Sequence, residues 1–120
     1  MNKHIEVLKK GIIEKFNPNK IILFGSYANG TAAEKSDIDI CVIFKTIYDR
    51  RSLKRKINKY IYDKNGLDFD KPVDVLIYTT QEWEKCLLEK GTFATHILNT
   101  GVIIYDRRRN ILNNGANPII

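Results

Sequence analysis

The chain reads as a single α/β domain, and three observations predict this. The hydrophobic period switches repeatedly between helical and strand values, the pattern of an α/β domain. The length of 120 residues is that of one ordinary domain, which at this size buries about two-thirds of the surface its unfolded chain exposes and has room for one core. Neither an internal repeat nor a second domain is visible.

Each element can be justified in turn. Ile5, Leu8, Ile12, Ile13 and Phe16 form one helical stripe with Lys3, Lys10 and Glu14 opposite, which predicts an amphipathic first helix. Asn17 and Pro18 end it, because the residue before proline avoids helical geometry. "KIILF", Lys20 to Phe24, is short, apolar and bounded by turn residues, as a buried strand should be. Residues 37–44 make the second strand. "YDRRSLKRKINKYIYD" places Leu53, Ile57, Tyr60 and Ile61 on one helical face and leaves a strongly basic outer face. "VDVLIY", residues 73–78, alternates as a third strand, with Asp74, Leu76 and Tyr78 on one side. Thr79 followed three residues later by Glu82 is a capping box that opens a helix through "QEWEKCLLEK", with Gly91 placed to end it. A shorter helix, "TFATHILNT", and a last strand, "VIIY", complete a domain over residues 1–105. The polar, Asn-rich residues 106–120 read as a mobile tail.

Charge and cysteine content narrow the function classes. The net charge of +6 favours anionic partners but is too diffuse to name one. Cys41 and Cys86 stand alone, without a CxxC pair, so they read as core thiols rather than zinc ligands or a disulfide framework. The first segment is too charged for a signal peptide, and no apolar run approaches the ~18 residues of a membrane span. A cytoplasmic protein is expected.

The chemistry concentrates in "ILFGSYANGTAAEKSDIDICVIF", Ile22 to Phe44. Successive strand side chains point to opposite faces, so Asp37 and Asp39 project the same way, ~6.6 Å apart along the strand. The strand continues as "ICVIF", and burying uncompensated carboxylates is costly unless a cation or a hydrogen-bond network satisfies them. A divalent metal is the simplest compensation, since Mg²⁺ takes one or two carboxylates together with waters and substrate phosphates. Asp74, on another apolar strand, is a candidate third carboxylate. Gly25 follows a strand directly and opens a short helix whose amides can point at an anion, and the Ser26 hydroxyl can donate to a phosphate oxygen.

These residues resemble the nucleotidyltransferases of the DNA polymerase β type, whose signature is GS, about ten residues, then DxD. The small size, "GSYANG", "SDIDICVIF" and "VDVLIY" resemble most the minimal nucleotidyltransferases of that superfamily, often encoded beside a HEPN-domain protein as the antitoxin half of a toxin–antitoxin pair. The resemblance runs from the first helix to the "GVIIYD" strand. It implies a polymerase β-like fold, a short mixed sheet with helices packed on one face and the three aspartates on the other.

The resemblance also implies roles. Gly25 and Ser26 would bind the triphosphate of ATP, with Lys35 and Ser36 on the following loop as further nucleotide contacts. Asp37 and Asp39 would hold two Mg²⁺ ions, and Asp74 would join one metal and help activate the acceptor hydroxyl. Family members transfer AMP onto a partner protein, here expected to be a HEPN toxin. The alternatives are a non-catalytic antitoxin that occludes a HEPN ribonuclease, and a transferase acting on a small molecule of the aminoglycoside kind. One departure is Asn29, where minimal members commonly carry the arginine of GSxARG; Lys35 is the candidate substitute, though lysine lacks the planar fork of arginine. A partner subunit is expected to complete the site, with self-association open and no direct nucleic-acid contact. The basic face of residues 50–59 reads as solvated, His4 and His96 as structural, and Trp83 as core or an interface anchor.

Overall fold

The computed structural model describes residues 2–109. In order these form α1 (Lys3–Phe16), β1 (Lys20–Phe24), α2 (Ser26–Asn29), β2 (Ile38–Phe44), α3 (Arg50–Tyr62), β3 (Val73–Thr79), α4 (Thr80–Leu87), α5 (Phe93–Thr100) and β4 (Val102–Asp106). The strands make one sheet in the order β3-β2-β1-β4. β1 runs antiparallel to β2 and β4, and β2 runs parallel to β3. The sheet is therefore mixed, as expected, and α3 provides the crossover that a parallel pair requires.

The element boundaries follow from local chemistry. The Asn2 side chain caps α1 by accepting from the His4 amide at 2.8 Å. Asn17 closes the same helix in the left-handed conformation, φ 52°, and donates its N–H to Ile13, with Pro18 next. Thr79 and Glu82 form the reciprocal capping box at α4. That helix stops at Leu87, short of Gly91, because hydroxyls turn the chain early. Thr92 Oγ1 donates to the Cys86 carbonyl at 2.9 Å, and Thr95 Oγ1 to that of Glu89 at 3.2 Å. Gly91, with φ 82°, then leads into α5 instead of ending α4.

The core has two parts because β2 is apolar on both faces. On one face Leu23, Ile40, Val42 and Val75 pack with Leu8 and Ile12 of α1 and Ile57 and Ile61 of α3. On the other, Ile22, Cys41 and Ile43 pack with Trp83 of α4 and Ala94 and Ile97 of α5. Helical cover is thus not confined to one face. The larger layer lies where expected, opposite the aspartates, but two short helices share the aspartate face, since Cys41 and Ile43 continue the same side of β2 as Asp39 and need cover.

The boundary expected after residue 105 falls later. Asp106 is the last residue of β4, registered against Lys20, and the Arg107 amide donates to the Asn19 carbonyl at 2.9 Å. The mobile tail expected for the remaining residues lies, from 110 onward, outside the described residues. Among the described residues no helix is long and apolar enough to cross a membrane.

Candidate active site

The site is built where β1 ends against the start of β2 and β3. Gly25 follows β1 with φ 72° and ψ −154°, a region open essentially to glycine alone. The position is also sterically closed, because a Cβ there would overlap Oδ2 of Asp39. The turn therefore requires glycine twice, and it brings backbone and carboxylate into contact. Ser26 opens the single turn α2, whose first amides lack intrahelical acceptors, as at any helix start.

Asp39 is the half-buried centre of the acidic group. Its register partners are Phe24 on β1 and Asp74 on β3. Asp37 lies two residues earlier, just before β2, with its charge within reach of Asp39, and it is exposed, as is Asp74. The Ile38 amide donates to the Pro72 carbonyl at 3.0 Å, tying the two strand starts together so that the carboxylates meet. Burial, then the charges of Asp74 and Asp37, and a hydrogen bond with Asp74 raise the Asp39 carboxyl above its ordinary value. Each of these disfavours the ionised form.

The loop between Gly30 and Asp37 is held by its own side chains. Ser36 Oγ accepts from the Ala33 amide at 2.7 Å, so this predicted nucleotide contact shapes the turn that delivers Asp37, with its hydroxyl hydrogen still able to donate. Asn29 is likewise occupied, its Oδ1 accepting from both the amide (3.1 Å) and hydroxyl (2.5 Å) of Thr31. Lys35 is exposed on the same turn. A cation not singled out in the sequence also reaches this loop. Lys71 Nζ donates to the Glu34 carbonyl at 3.0 Å and, with Ser26, Tyr27 and Gly30, lines an open cavity of about 600 Å³. It comes from the turn-rich segment before β3, and no spacing rule linked it to Gly25-Ser26. The three aspartates do not line that cavity.

The remaining candidates are structural. Trp83 is 4% exposed and packs edge-on against Tyr78. Cys41 is a buried thiol, pushed up to about 12 by desolvation. Tyr62, one of the tyrosines interleaved with the basic helix, accepts from the Val73 amide through its hydroxyl at 2.8 Å. Arg50, on the same helix, donates to the Ile77 carbonyl and pairs with Glu82.

The donor set fits a hard divalent cation. Among the described residues no three His, Cys, Asp or Glu side chains close into a ready cage, but Mg²⁺ does not need one, being held by one or two carboxylates with waters and phosphates. Asp37, Asp39 and Asp74 offer only oxygen donors, and both the burial and the neighbouring charges that raise Asp39 are offset by a cation in contact.

Fold and site together define the class: a small α/β nucleotidyltransferase-type domain with a glycine-serine turn facing a carboxylate group on adjacent strands. Residues 6–110 match the family described as Polymerase beta, Nucleotidyltransferase, and the chain belongs to it. A relative in Methanocaldococcus jannaschii, named "Putative protein adenylyltransferase MJ0141", is 37% identical over 100 residues, 82% of this chain and 92% of that protein. A second from the same organism, "Putative protein adenylyltransferase MJ1305", is 57% identical over 37 residues, so the match spans 31% of this chain and only a quarter (25%) of that protein. Among solved structures, "Crystal structure of the toxin-antitoxin with AMP-PNP" shares the fold, with a TM-score of 0.53 and 24% identity over 88% of this chain and 73% of that one.

Proposed function

We propose that the protein is a Mg²⁺-dependent nucleotidyltransferase that moves AMP from ATP onto a hydroxyl of a partner protein, acting in the cytoplasm as the antitoxin of a HEPN-type toxin. The observation that carries the transferase reading is the contact between the Asp39 carboxylate and the Gly25 backbone. It sets an acidic group beside a turn suited to phosphate. The names of the two relatives support protein as the acceptor, and the toxin–antitoxin neighbour supports a toxin as the partner.

The Gly25 turn sets the first α2 amides, those of Ser26 and Tyr27, and the Ser26 hydroxyl to donate to phosphate oxygens. Lys71 and Lys35 supply positive charge on the loop side. Asp37, Asp39 and Asp74 would hold the Mg²⁺ ions, which when bound lower the pKa of the attacking hydroxyl and neutralise charge on the leaving pyrophosphate. Asp74, exposed at the strand start, accepts the proton of the acceptor hydroxyl. The acceptor oxygen bonds to the α-phosphorus while the bond to the β-phosphate oxygen breaks, and pyrophosphate leaves with the electron pair.

A second reading, neutralisation by occlusion, is favoured by Asn29, whose side chain closes its own turn instead of presenting a cation to phosphate. Dose and mass separate the two. With ATP and Mg²⁺, a small amount of protein should inactivate an excess of toxin, and the toxin should gain AMP-sized mass and stay inactive after separation. An occluding antitoxin needs about one copy per toxin and no ATP, and it releases active toxin on dissociation. Full protection by an Asp37→Asn, Asp39→Asn double variant at every ratio would sink the transferase reading.

A further inference from the structure

We propose that Phe93, the first residue of α5, is the platform on which the nucleobase of the donor nucleotide stacks. The inference rests on the nucleotidyltransferase reading and specifies how that site holds the base. Phe93 is 53% exposed, which alone is ordinary for a surface aromatic. Its ring, however, is fixed on two sides. Phe24 meets it edge-on at 5.8 Å between centroids, with planes at 87°. His96, one turn along α5, stacks on it at 5.9 Å and 18°.

The backbone beneath the ring is pinned as well. Thr92 caps α5 by accepting from the Thr95 amide at 3.2 Å and donates its own hydroxyl to the Cys86 carbonyl of α4 at 2.9 Å. A pre-positioned aromatic loses little conformational entropy when a base settles on it, so more of the stacking energy appears as affinity.

Position decides what the platform serves. Phe24 is the cross-strand partner of Asp39 and immediately precedes Gly25, so directly opposed residues put Phe24 and the carboxylate side by side on one face. Phe93 stands one ring beyond. A nucleotide with its phosphates at Gly25-Ser26 therefore has an exposed aromatic surface within reach of its base. The other exposed aromatics do not compete. Tyr48, 97% exposed, follows the far end of β2, and Tyr62 is held by its hydroxyl on Val73. Because every base has a π-face, such a platform adds affinity without strict choice among bases.

Calorimetric titration of the full chain with MgATP, MgGTP and magnesium tripolyphosphate tests this, using the unaltered protein and Phe93→Ala, Phe93→Leu and Phe93→Trp. Phe93→Ala should weaken both nucleotides by roughly 5- to 150-fold, the range for losing one stacked base, and leave tripolyphosphate unchanged. Phe93→Leu keeps apolar cover over Phe24 without a π-face and should behave like Ala; Phe93→Trp should retain affinity. Unchanged nucleotide binding by Phe93→Ala overturns the platform while the nucleotide reading stands. Equal losses for nucleotide and tripolyphosphate make the role structural and also overturn it. If the unaltered protein binds none of the three ligands, the nucleotidyltransferase reading falls and the platform with it.

Discussion

Replacing Gly25 by alanine tests the geometry of the site at its tightest point. The glycine has φ 72° and ψ −154°, and holding an alanine there costs on the order of 1–3 kcal/mol in backbone strain. The new Cβ would also overlap Asp39 Oδ2. Asp39 must then swing off its preferred rotamer, at about 0.5–1.5 kcal/mol more. Together roughly 1.5–4.5 kcal/mol of stability should be lost, and at about 4 °C per kcal/mol for a domain near this size the melting midpoint should fall by roughly 6–18 °C. The measurement is thermal unfolding in EDTA, paired with calorimetric MgATP titration, where affinity should collapse because the carboxylate and the turn are displaced together. The same substitution in an Asp39→Ala background separates the two causes. The strain stays, the overlap goes, and the loss should shrink by about the rotamer cost, a coupling within the 0.5–3 kcal/mol seen between contacting residues. A midpoint drop below ~2 °C with unchanged MgATP affinity, or identical losses in both backgrounds, would refute the contact between Gly25 and Asp39 as the organising feature of the site.

Three further outcomes are expected. Asp39→Asn should abolish AMP transfer yet raise the stability of the metal-free protein. Because the folded Asp39 carboxyl is raised, the native state binds more proton than the unfolded chain from about pH 4 upward. Its contribution to stability is lost as pH rises through the raised value, so the gain from asparagine should appear above pH 4 and then level off in melts recorded in EDTA; a gain confined to acid would contradict the sign. Thr79→Ala removes the hydroxyl that accepts from the Glu82 amide at 3.0 Å and should cost about 1 kcal/mol, read as a shift in the urea midpoint without a change in slope. Cys41, buried and pushed up to about 12, should resist a thiol reagent at neutral pH until the protein unfolds, so native protein should show rapid labelling of Cys86 only.

Much of the fold was legible because strand and helix periods are local. The alternation in "VDVLIY" put Val73, Val75 and Ile77 on one side and Asp74, Leu76 and Tyr78 on the other, and the first three are the buried ones. The Thr79–Glu82 spacing foretold the capping box because both hydrogen bonds close within one turn. What was not legible depends on contacts distant in sequence. Nothing local to "QEWEKCLLEK" tells that Thr92 and Thr95 will draw the chain away before Gly91. Nothing near Lys71 tells that its amine will reach the Glu34 carbonyl. The second layer of helices was written in the alternate residues of β2, Cys41 and Ile43, whose apolar character requires cover on the face that Asp39 shares.

The shared face explains how a buried central strand can carry chemistry at one end. Asp39, Cys41 and Ile43 point the same way, but α4 and α5 cover only the last two, where Trp83, Ala94 and Ile97 close the second core. The cover stops before Asp39, and Phe24 and Phe93 mark its rim. The same strand is thus rigid, since Ile38 and Ile40 through Ile43 are no more than 1% exposed, and open where the carboxylates begin. Rigidity matters because three like charges on adjacent strand positions would move apart if the backbone allowed it. Here the β2–β3 register and the Ile38–Pro72 hydrogen bond hold them together. The repulsion is retained and, with burial as the larger cause, raises the Asp39 carboxyl. The chain's net charge of +6 does not discharge it, because screening acts over about 8–10 Å and distributed surface lysines cannot replace a cation in contact. A strand start that is fixed, acidic and uncovered, with a glycine turn against it, favours positive charge brought in with a phosphate ligand over any neutral occupant.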